Sequence, residues 1–163
     1  MTELLSKISS YNIFNYLLPG VIFAAASNIY VNHSFIQNDW LIGLFVYYFT
    51  GLVISRVGSL VIQPILMKIG FIKFADHTDL IEASKKDPKI DILSEQNNMF
   101  RTFITTFALL IIFKFYKYLE TIFPTLSLFF YDLIIVGLLA LFIFSYRKQT
   151  DFTRKRIEQA LSK

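Results

Sequence analysis

The sequence predicts an all-α integral membrane protein with four transmembrane helices, an N-terminal amphipathic helix and a short cytoplasmic helical insertion. Its 163 residues are 55% hydrophobic and only 17% charged, whereas soluble domains hold about 25% charged residues. The apolar residues form blocks of roughly 20, the length of an α-helix that crosses a hydrocarbon core about 30 Å thick. Backbone groups in lipid must be paired within a segment, so these continuous blocks predict helices rather than strands.

The clearest predicted span runs from Trp40 to Ile62. A Trp at one end suits the headgroup region, where amphipathic rings accumulate. One face of this span carries small residues four apart, which lets two helices approach closely: Gly51, Ser55 and Ser59. Contact within the monomer and contact between subunits both fit this pattern. Gln63-Pro64 is expected to kink or end the helix, because Pro lacks a backbone N–H.

The N-terminal segment, residues 1–16, is predicted to precede the first span, which runs from Leu17 to Phe35. Residues 2–12 have the pattern of an amphipathic helix lying on the membrane surface, and a frayed first turn of the span is the alternative. Leu18-Pro19-Gly20 predicts a corner between the two. A cleaved signal peptide is disfavoured because polar residues and Pro19 interrupt the apolar stretch.

A cytoplasmic insertion, residues 63–100, is predicted between a first helix pair, residues 17–62, and a second, residues 101–146. Asp76 offers N-cap chemistry for a short helix from Asp79 to Lys86. Asp87-Pro88 marks a turn, since the residue before Pro avoids the helical region. From Lys89 the apolar pattern runs as one helix into the third span.

The third span is predicted from Thr102 to Tyr118 and the fourth from Leu126 to Tyr146, with a turn at Phe123-Pro124. Residues 147–163 form a basic, amphipathic tail. A basic tail beside a membrane span is expected to contact anionic lipid rather than nucleic acid, so direct nucleic-acid binding is not predicted.

The distribution of Lys and Arg predicts the orientation. If the N-terminus is cytoplasmic, all of the 16 basic residues except Lys114 and Lys117 lie on or toward the same side. Basic residues accumulate on the cytoplasmic side of membrane proteins. The sequence therefore predicts a multi-pass membrane protein with both termini in the cytoplasm.

Polar and ionisable residues within the spans are the candidate functional residues, because such residues are costly in lipid and often mark a conduction path or a pair. Lys114 and Asp132, at similar predicted depth on adjacent spans, form a candidate ion pair. The candidate pore-lining residues are Ser27, Asn28, Asn32 and Arg56. The alternative is structural: Lys114 and Arg56 extend toward the interfaces, and Asp132 meets Lys114 as a static tie.

Motifs of catalysis and metal binding are missing from the sequence. It has no Gly-rich phosphate loop, HExxH or GxSxG motif, and no Cys. Asp76, Asp79 and Glu82 share one face of a short helix, where a solvated surface is the expected role. His33 and His77 are predicted on opposite sides of the membrane, so they cannot share a metal. The prediction is a non-enzymatic protein without a cofactor.

Four predicted spans with few residues outside them favour two functions. Secondary transporters use many more helices, arranged in repeats. A small unit with a close-packing face can oligomerise around an axis and form a pore, with the first span as the favoured lining helix. It can instead serve as a non-conducting membrane anchor or regulatory subunit for a soluble partner. A small lipid-modifying enzyme is the third and least favoured class.

Two stretches, YNIFNYLLPGVIF at residues 11–23 and KDPKIDILSEQNN at residues 86–98, resemble small multi-pass membrane effectors of bacterial anti-phage defence systems. These include CBASS effectors and the channel subunit of Hailong-type systems. The resemblance implies a homo-oligomeric channel of a bacterial inner membrane, with a tetramer favoured, held shut by a soluble cytoplasmic regulatory protein. Its opening would dissipate the membrane potential of an infected cell.

Overall fold

The computed structural model describes residues 10–161, and in that part of the chain every regular element is a helix. We label the main helices α1 (Ile13–Tyr30), α2 (Trp40–Lys68), α3 (His77–Lys86), α4 (Lys89–Ile122) and α5 (Phe130–Leu161). Four of them, α1, α2, α4 and α5 with the turn before it, are long and apolar enough to cross a membrane. The all-helical fold class with four such helices is therefore confirmed.

The predicted corner at Leu18-Pro19-Gly20 does not form. Ser10–Asn12 leads through a π turn, Ile13–Leu17, into the α-helical part Leu18–Tyr30, and Leu17 and Leu18 both have helical backbone angles. The predicted surface helix, residues 2–12, lies almost entirely outside the described residues. The helix also ends earlier than the predicted Phe35, because Asn32 has a φ of 55° and breaks the helical path after Tyr30.

Two prolines are accommodated by two π turns with the same layout. Each turn spans five residues and is followed by one residue and then Pro: Ile13–Leu17 before Pro19, and Gly58–Ile62 before Pro64. In each, the amide just before Pro bonds the carbonyl five residues back. A Pro ring collides with the carbonyl four residues back in a regular α-helix, and the extra residue of a π turn relieves that collision. Pro64 therefore does not end α2, which continues to Lys68.

The segment 63–100 is partly helical extension, because residues 63–68 belong to α2 and residues 89–100 belong to α4. Only residues 69–88 link the two helices. In this link Asp76 is the N-cap of α3, although its side chain accepts no capping bond. The turn at Asp87-Pro88 forms as predicted, with Asp87 Oδ1 accepting from the Lys89 N–H at 2.9 Å. The continuous helix from Lys89 is confirmed and reaches Ile122.

The turn at Phe123-Pro124 is also found. Phe123 leaves the helical region with φ −124° and ψ 82°, and a 3-10 turn, Pro124–Phe129, leads into α5. This turn places the start of α5 later than the predicted Leu126. The helix then continues without a break to Leu161, so the described part of the basic tail extends the fourth span rather than forming a separate segment.

The core is formed by α1, α2 and α4, whose buried apolar side chains include Ala24, Ile54 and Leu110. α1 and α2 approach so closely that a Cβ added to Gly20 or Gly51 would overlap the backbone of the other helix, at Tyr47 and Tyr16 respectively. α5 lies outside this core, and none of its most apolar stretch is buried.

Candidate functional site

A buried polar junction joins the three core helices. It consists of Asn15 on α1, Ser55 on α2 and Thr102 on α4, which are exposed by 1%, 5% and 0%. The Thr102 Oγ1 lies 2.9 Å from Asn15 Oδ1 and 3.4 Å from Ser55 Oγ, and Asn15 Nδ2 donates to Ser55 Oγ at 3.4 Å. Buried polar groups are costly unless they are paired, so these bonds fix how the three helices meet.

Tyr11 and Asn98 extend the junction toward the N-terminal end of α4. The Tyr11 hydroxyl accepts from Asn15 Nδ2 at 3.1 Å and from Asn98 Nδ2 at 3.4 Å. Burial, with a smaller contribution from Tyr16, raises the pKa of Tyr11, so the phenol stays neutral at physiological pH. The single hydroxyl hydrogen of Thr102 has two good acceptors, Asn15 Oδ1 and the Asn98 carbonyl at 2.8 Å, and donates to one of them at a time.

A basic cluster lies next to the junction and consists of Arg56 on α2, which follows Ser55, Arg101 on α4, which precedes Thr102, and Lys148 on α5. Arg101 Nη1 donates to Gln63 Oε1 at 2.7 Å. Lys148 Nζ lies 2.8 Å from the Ser59 carbonyl oxygen, one turn along α2 from Arg56, and the ion pairs found within residues 10–161 involve none of these three cations. Three helices therefore bring three positive charges together without a neutralising acid.

The π turn before Pro64 explains how Lys148 is held. In a regular α-helix the Ser59 carbonyl would accept from the Gln63 N–H, but that amide bonds the Gly58 carbonyl instead. The next amide along belongs to Pro64, which has no hydrogen. The Lys148 Nζ takes their place, 2.8 Å from the Ser59 carbonyl oxygen and 2.8 Å from Ser59 Oγ. This contact ties α5 to α2.

The predicted helix-contact face makes its contacts inside one copy of the chain. Gly51 lies against the α1 backbone at Tyr16, Ser55 belongs to the polar junction, and Ser59 holds Lys148. Of the two alternatives that the small-xxx-small pattern left, the structure shows contact within the monomer.

The four candidate pore-lining residues do not share a surface. Ser27 is fully buried and its hydroxyl donates to the Ala24 carbonyl at 3.1 Å. Asn28, one residue on, is exposed, because successive helical residues point about 100° apart. Asn32 lies beyond the end of α1, and Arg56 belongs to the basic cluster at the opposite end of the bundle. Within one copy, Ser27 is therefore not at the surface, whereas Asn28 is.

The predicted ion pair between Lys114 and Asp132 does not form. The ion pairs among the described residues join Lys117 to Glu120 and Arg154 to Asp151 and Glu158. Counting 1.5 Å per residue, Lys114 lies about 12 Å from the end of α4, whereas Asp132 lies about 3 Å from the start of α5. Two differences from the predicted spans cause this offset: α4 ends at Ile122 instead of Tyr118, and α5 starts at Phe130 instead of Leu126. The exposed Lys114 Nζ instead lies 3.7 Å from the centre of the Tyr30 ring.

An aromatic cluster at the same end of the bundle holds the loop after α1. His33 contacts the rings of Phe35, Phe113 and Phe130, with centroid distances of 4.9, 5.4 and 6.1 Å. Burial lowers the pKa of His33, the charge of Lys117 lowers it further, and Glu120 opposes them. His33 is thus a packing residue in its neutral form. Across the described residues, no three His, Asp or Glu side chains are placed to hold a metal ion.

Sequence reasoning missed most of the polar contacts between helices. It named Ser55 and Ser59 but not their partners, which are Asn15, Thr102 and Lys148. A signal was present: Asn98, Thr102 and Thr106 recur every four residues and mark one polar stripe on α4, the spacing at which helical side chains share a face.

No protein-family model, curated protein or solved structure matches the chain. Function is therefore inferred from the polar junction, the basic cluster and the exposed polar residues.

Proposed function

We propose that the protein is a subunit of an oligomeric channel in a bacterial inner membrane, selective for anions and gated from the cytoplasm. The observation that carries this proposal is an exposed Lys114 beside Tyr30 on the surface of two apolar helices.

The three-helix core leaves no room for a conducting path within one copy. Its centre is filled by side chains that are less than 2% exposed, among them Asn15, Thr102 and Thr105. A pore must then run between copies arranged around an axis, each contributing the same surface. The number of copies proposed is four, because the resemblance to defence effectors favours a tetramer.

The surface proposed to face the axis lies where α1 and α4 meet. Asn28 and Tyr30 on α1 and Lys114 and Tyr118 on α4 are all exposed there. A lysine within an apolar helix is costly against lipid and is favourable where it faces water or an aromatic ring. Rings of Lys side chains attract anions. One Lys114 from each copy would form such a ring near the outer mouth.

Gating is assigned to the part of the chain that extends past the bilayer. α2 and α4 contain 29 and 34 residues, so they are about 43 and 51 Å long, more than a hydrocarbon core of about 30 Å requires. With both termini in the cytoplasm, their extensions, α3 and the end of α5 form a cytoplasmic platform for a soluble regulatory partner. Release of that partner would open the pore and depolarise the membrane, as an anti-phage effector does.

The test is the ion selectivity of the purified protein in planar bilayers, measured as the reversal potential in a KCl gradient. Wild type is expected to favour chloride, and Lys114→Glu to shift the reversal potential toward potassium because it reverses the charge at the mouth. Lys155→Glu is the matched control, since Lys155 is exposed on the distal end of α5. An unchanged reversal potential in Lys114→Glu would refute the assignment of this surface to the pore.

A non-conducting anchor for a soluble partner is the second candidate. It is favoured by the same filled core and long helical extensions, which need no pore to present a binding platform. The two differ in one result: an anchor binds its partner and passes no current in bilayers, with the partner present or removed.

A further inference from the structure

The basic cluster is unusual because its charges are packed together and are not neutralised. Arg56 is half-exposed and is held by no hydrogen bond or ion pair in the described part of the chain. Arg101 is more buried, and its Nε is inaccessible to solvent and without a hydrogen-bond partner. A buried donor without an acceptor is rare in folded proteins and points to a group that completes it.

The depth of the cluster suggests where that group comes from. At 1.5 Å per residue, Arg56 lies about 24 Å along α2 from Trp40, Lys148 lies about 27 Å along α5 from Phe130, and Arg101 lies about 32 Å along α4 from Ile122. A hydrocarbon core is about 30 Å thick. If the other ends of these helices lie at the outer interface, the cluster lies at the inner one, where phospholipid phosphates are found.

We propose that Arg56, Arg101 and Lys148, with Ser59 and Gln63 as supporting polar groups, form a binding site for a phosphate group. The donors suit a phosphate because guanidinium groups bind its oxygens through two parallel N–H bonds and an ammonium group adds a point charge. The phosphate of an anionic phospholipid and that of a soluble ligand share this chemistry. The position at the inner boundary favours the lipid, so the site fixes the bundle to the anionic cytoplasmic leaflet.

The packing around Gly58 keeps Arg101 pointed at the site. A Cβ added to Gly58 would lie 3.3 Å from Arg101 Cγ and 3.5 Å from its Nε, so the guanidinium stem lies flat on the α2 backbone. Gln63 then holds Nη1 at 2.7 Å. Arg101 is therefore oriented before a ligand arrives, which lowers the cost of ordering it on binding.

The test uses the full-length chain in nanodiscs of phosphatidylcholine, alone or mixed with phosphatidylglycerol. Native mass spectrometry counts the phosphatidylglycerol retained, and a thermal scan gives the unfolding midpoint. Arg56→Gln is the chosen variant because Arg56 makes no bond that the fold needs. It is expected to retain phosphatidylglycerol about fivefold less tightly, the change expected for one cation at a membrane surface. Lys155→Gln, on the exposed end of α5, is the matched control and should retain it as wild type does.

A second arm adds inorganic phosphate to the phosphatidylcholine nanodiscs, with NaCl of equal ionic strength as its reference. A midpoint raised by phosphate in wild type but not in Arg56→Gln would support the site with a soluble ligand. Equal lipid retention by wild type and Arg56→Gln, together with no response to phosphate, would overturn the proposal. Neither lipid retention nor the unfolding midpoint measures current. Failure of the phosphate-site proposal can therefore be told apart from failure of the channel proposal.

Discussion

The close approach of α1 and α2 predicts a large effect from adding a single methyl group at Gly51. The Cβ of Gly51→Ala would lie 2.5 Å from the Tyr16 carbonyl carbon and 3.0 Å from its Cα, whereas ordinary contact begins at 3.4 Å. The two backbones would therefore have to separate by at least about 0.9 Å, the difference between 2.5 and 3.4 Å. Because the obstacle is backbone, no rotamer change can relieve it. Overpacking of this kind costs about 1–3 kcal/mol, and occasionally more.

The assay is thermal unfolding of the purified protein in detergent, followed by near-UV circular dichroism, with two other glycines as controls. A Cβ at Gly137 has nothing within 4 Å, and one at Gly43 meets only the side chain of Tyr47, at 3.3 Å. Gly137→Ala should leave the midpoint unchanged or raise it, and Gly43→Ala should lower it slightly. If Gly51→Ala unfolds at the same temperature as Gly137→Ala, the helices do not pack at Gly51 as described.

Two further predictions concern the polar junction and the aromatic cluster. Asn15→Leu should destabilise the fold by about 1–3 kcal/mol because it removes the bonds of a buried amide to Thr102, Ser55 and Tyr11. The exposed Asn28→Leu should have little effect in the same melts, and equal midpoints would contradict the junction. His33 has a pKa lowered below its usual 6.5 by burial and by Lys117, so the unfolded chain binds more protons between that lowered value and pH 6.5. The midpoint should therefore rise with pH across this window, and His33→Phe should abolish the rise; a persisting slope would assign it to other groups.

The coarse fold could be predicted because its signals are local. Continuous apolar blocks specify helices in any membrane context, and the turns at Asp87-Pro88 and Phe123-Pro124 follow from the restriction that Pro places on the residue before it. The long helix from Lys89 could also be predicted locally, since the stretch from Lys89 to Ile122 contains neither Gly nor Pro. Each of these predictions needed only a short stretch of sequence.

The behaviour of Pro19 and Pro64 could not be predicted in the same way. A proline inside an apolar stretch can end a helix, kink it or be absorbed by a π turn, and the choice depends on what surrounds the carbonyls that it leaves unpaired. At Pro64 the group that satisfies the Ser59 carbonyl is Lys148, which lies 84 positions later in the chain. No local pattern contains that information.

The pairing of Lys114 with Asp132 failed for a related reason. The similar depth followed from the cytoplasmic ends of the two spans, but the pairing also depends on where the spans meet at their other ends, and the 3-10 turn Pro124–Phe129 delays the start of α5 there. A shift of a few residues along a helix displaces a side chain by several ångströms, which is enough to separate an ion pair. Lys114 then found the Tyr30 ring, a partner on a different helix.

The face of α2 that carries small residues four apart makes three successive contacts, and together these contacts involve three other helices. Gly51 brings the α1 backbone close, Ser55 joins α1 and α4 through the polar junction, and Ser59 holds α5 through Lys148. The first contact is steric and the second is a buried hydrogen-bond network. The third depends on a carbonyl that lost its helical donors to the π turn before Pro64.

That third contact makes α5 the helix most sensitive to the proposed ligand. Along its apolar length α5 is not buried, and its ring contacts with the rest of the bundle include Phe142 stacked on Phe49 at 6.2 Å and Phe130 stacked on Phe113 at 6.0 Å. Lys148 both satisfies the Ser59 carbonyl and contributes a charge to the basic cluster. A phosphate bound at the cluster would share the same ammonium group, because Lys has three donors and two are directed at Ser59. Occupancy of the site and the position of α5 are therefore coupled through one side chain.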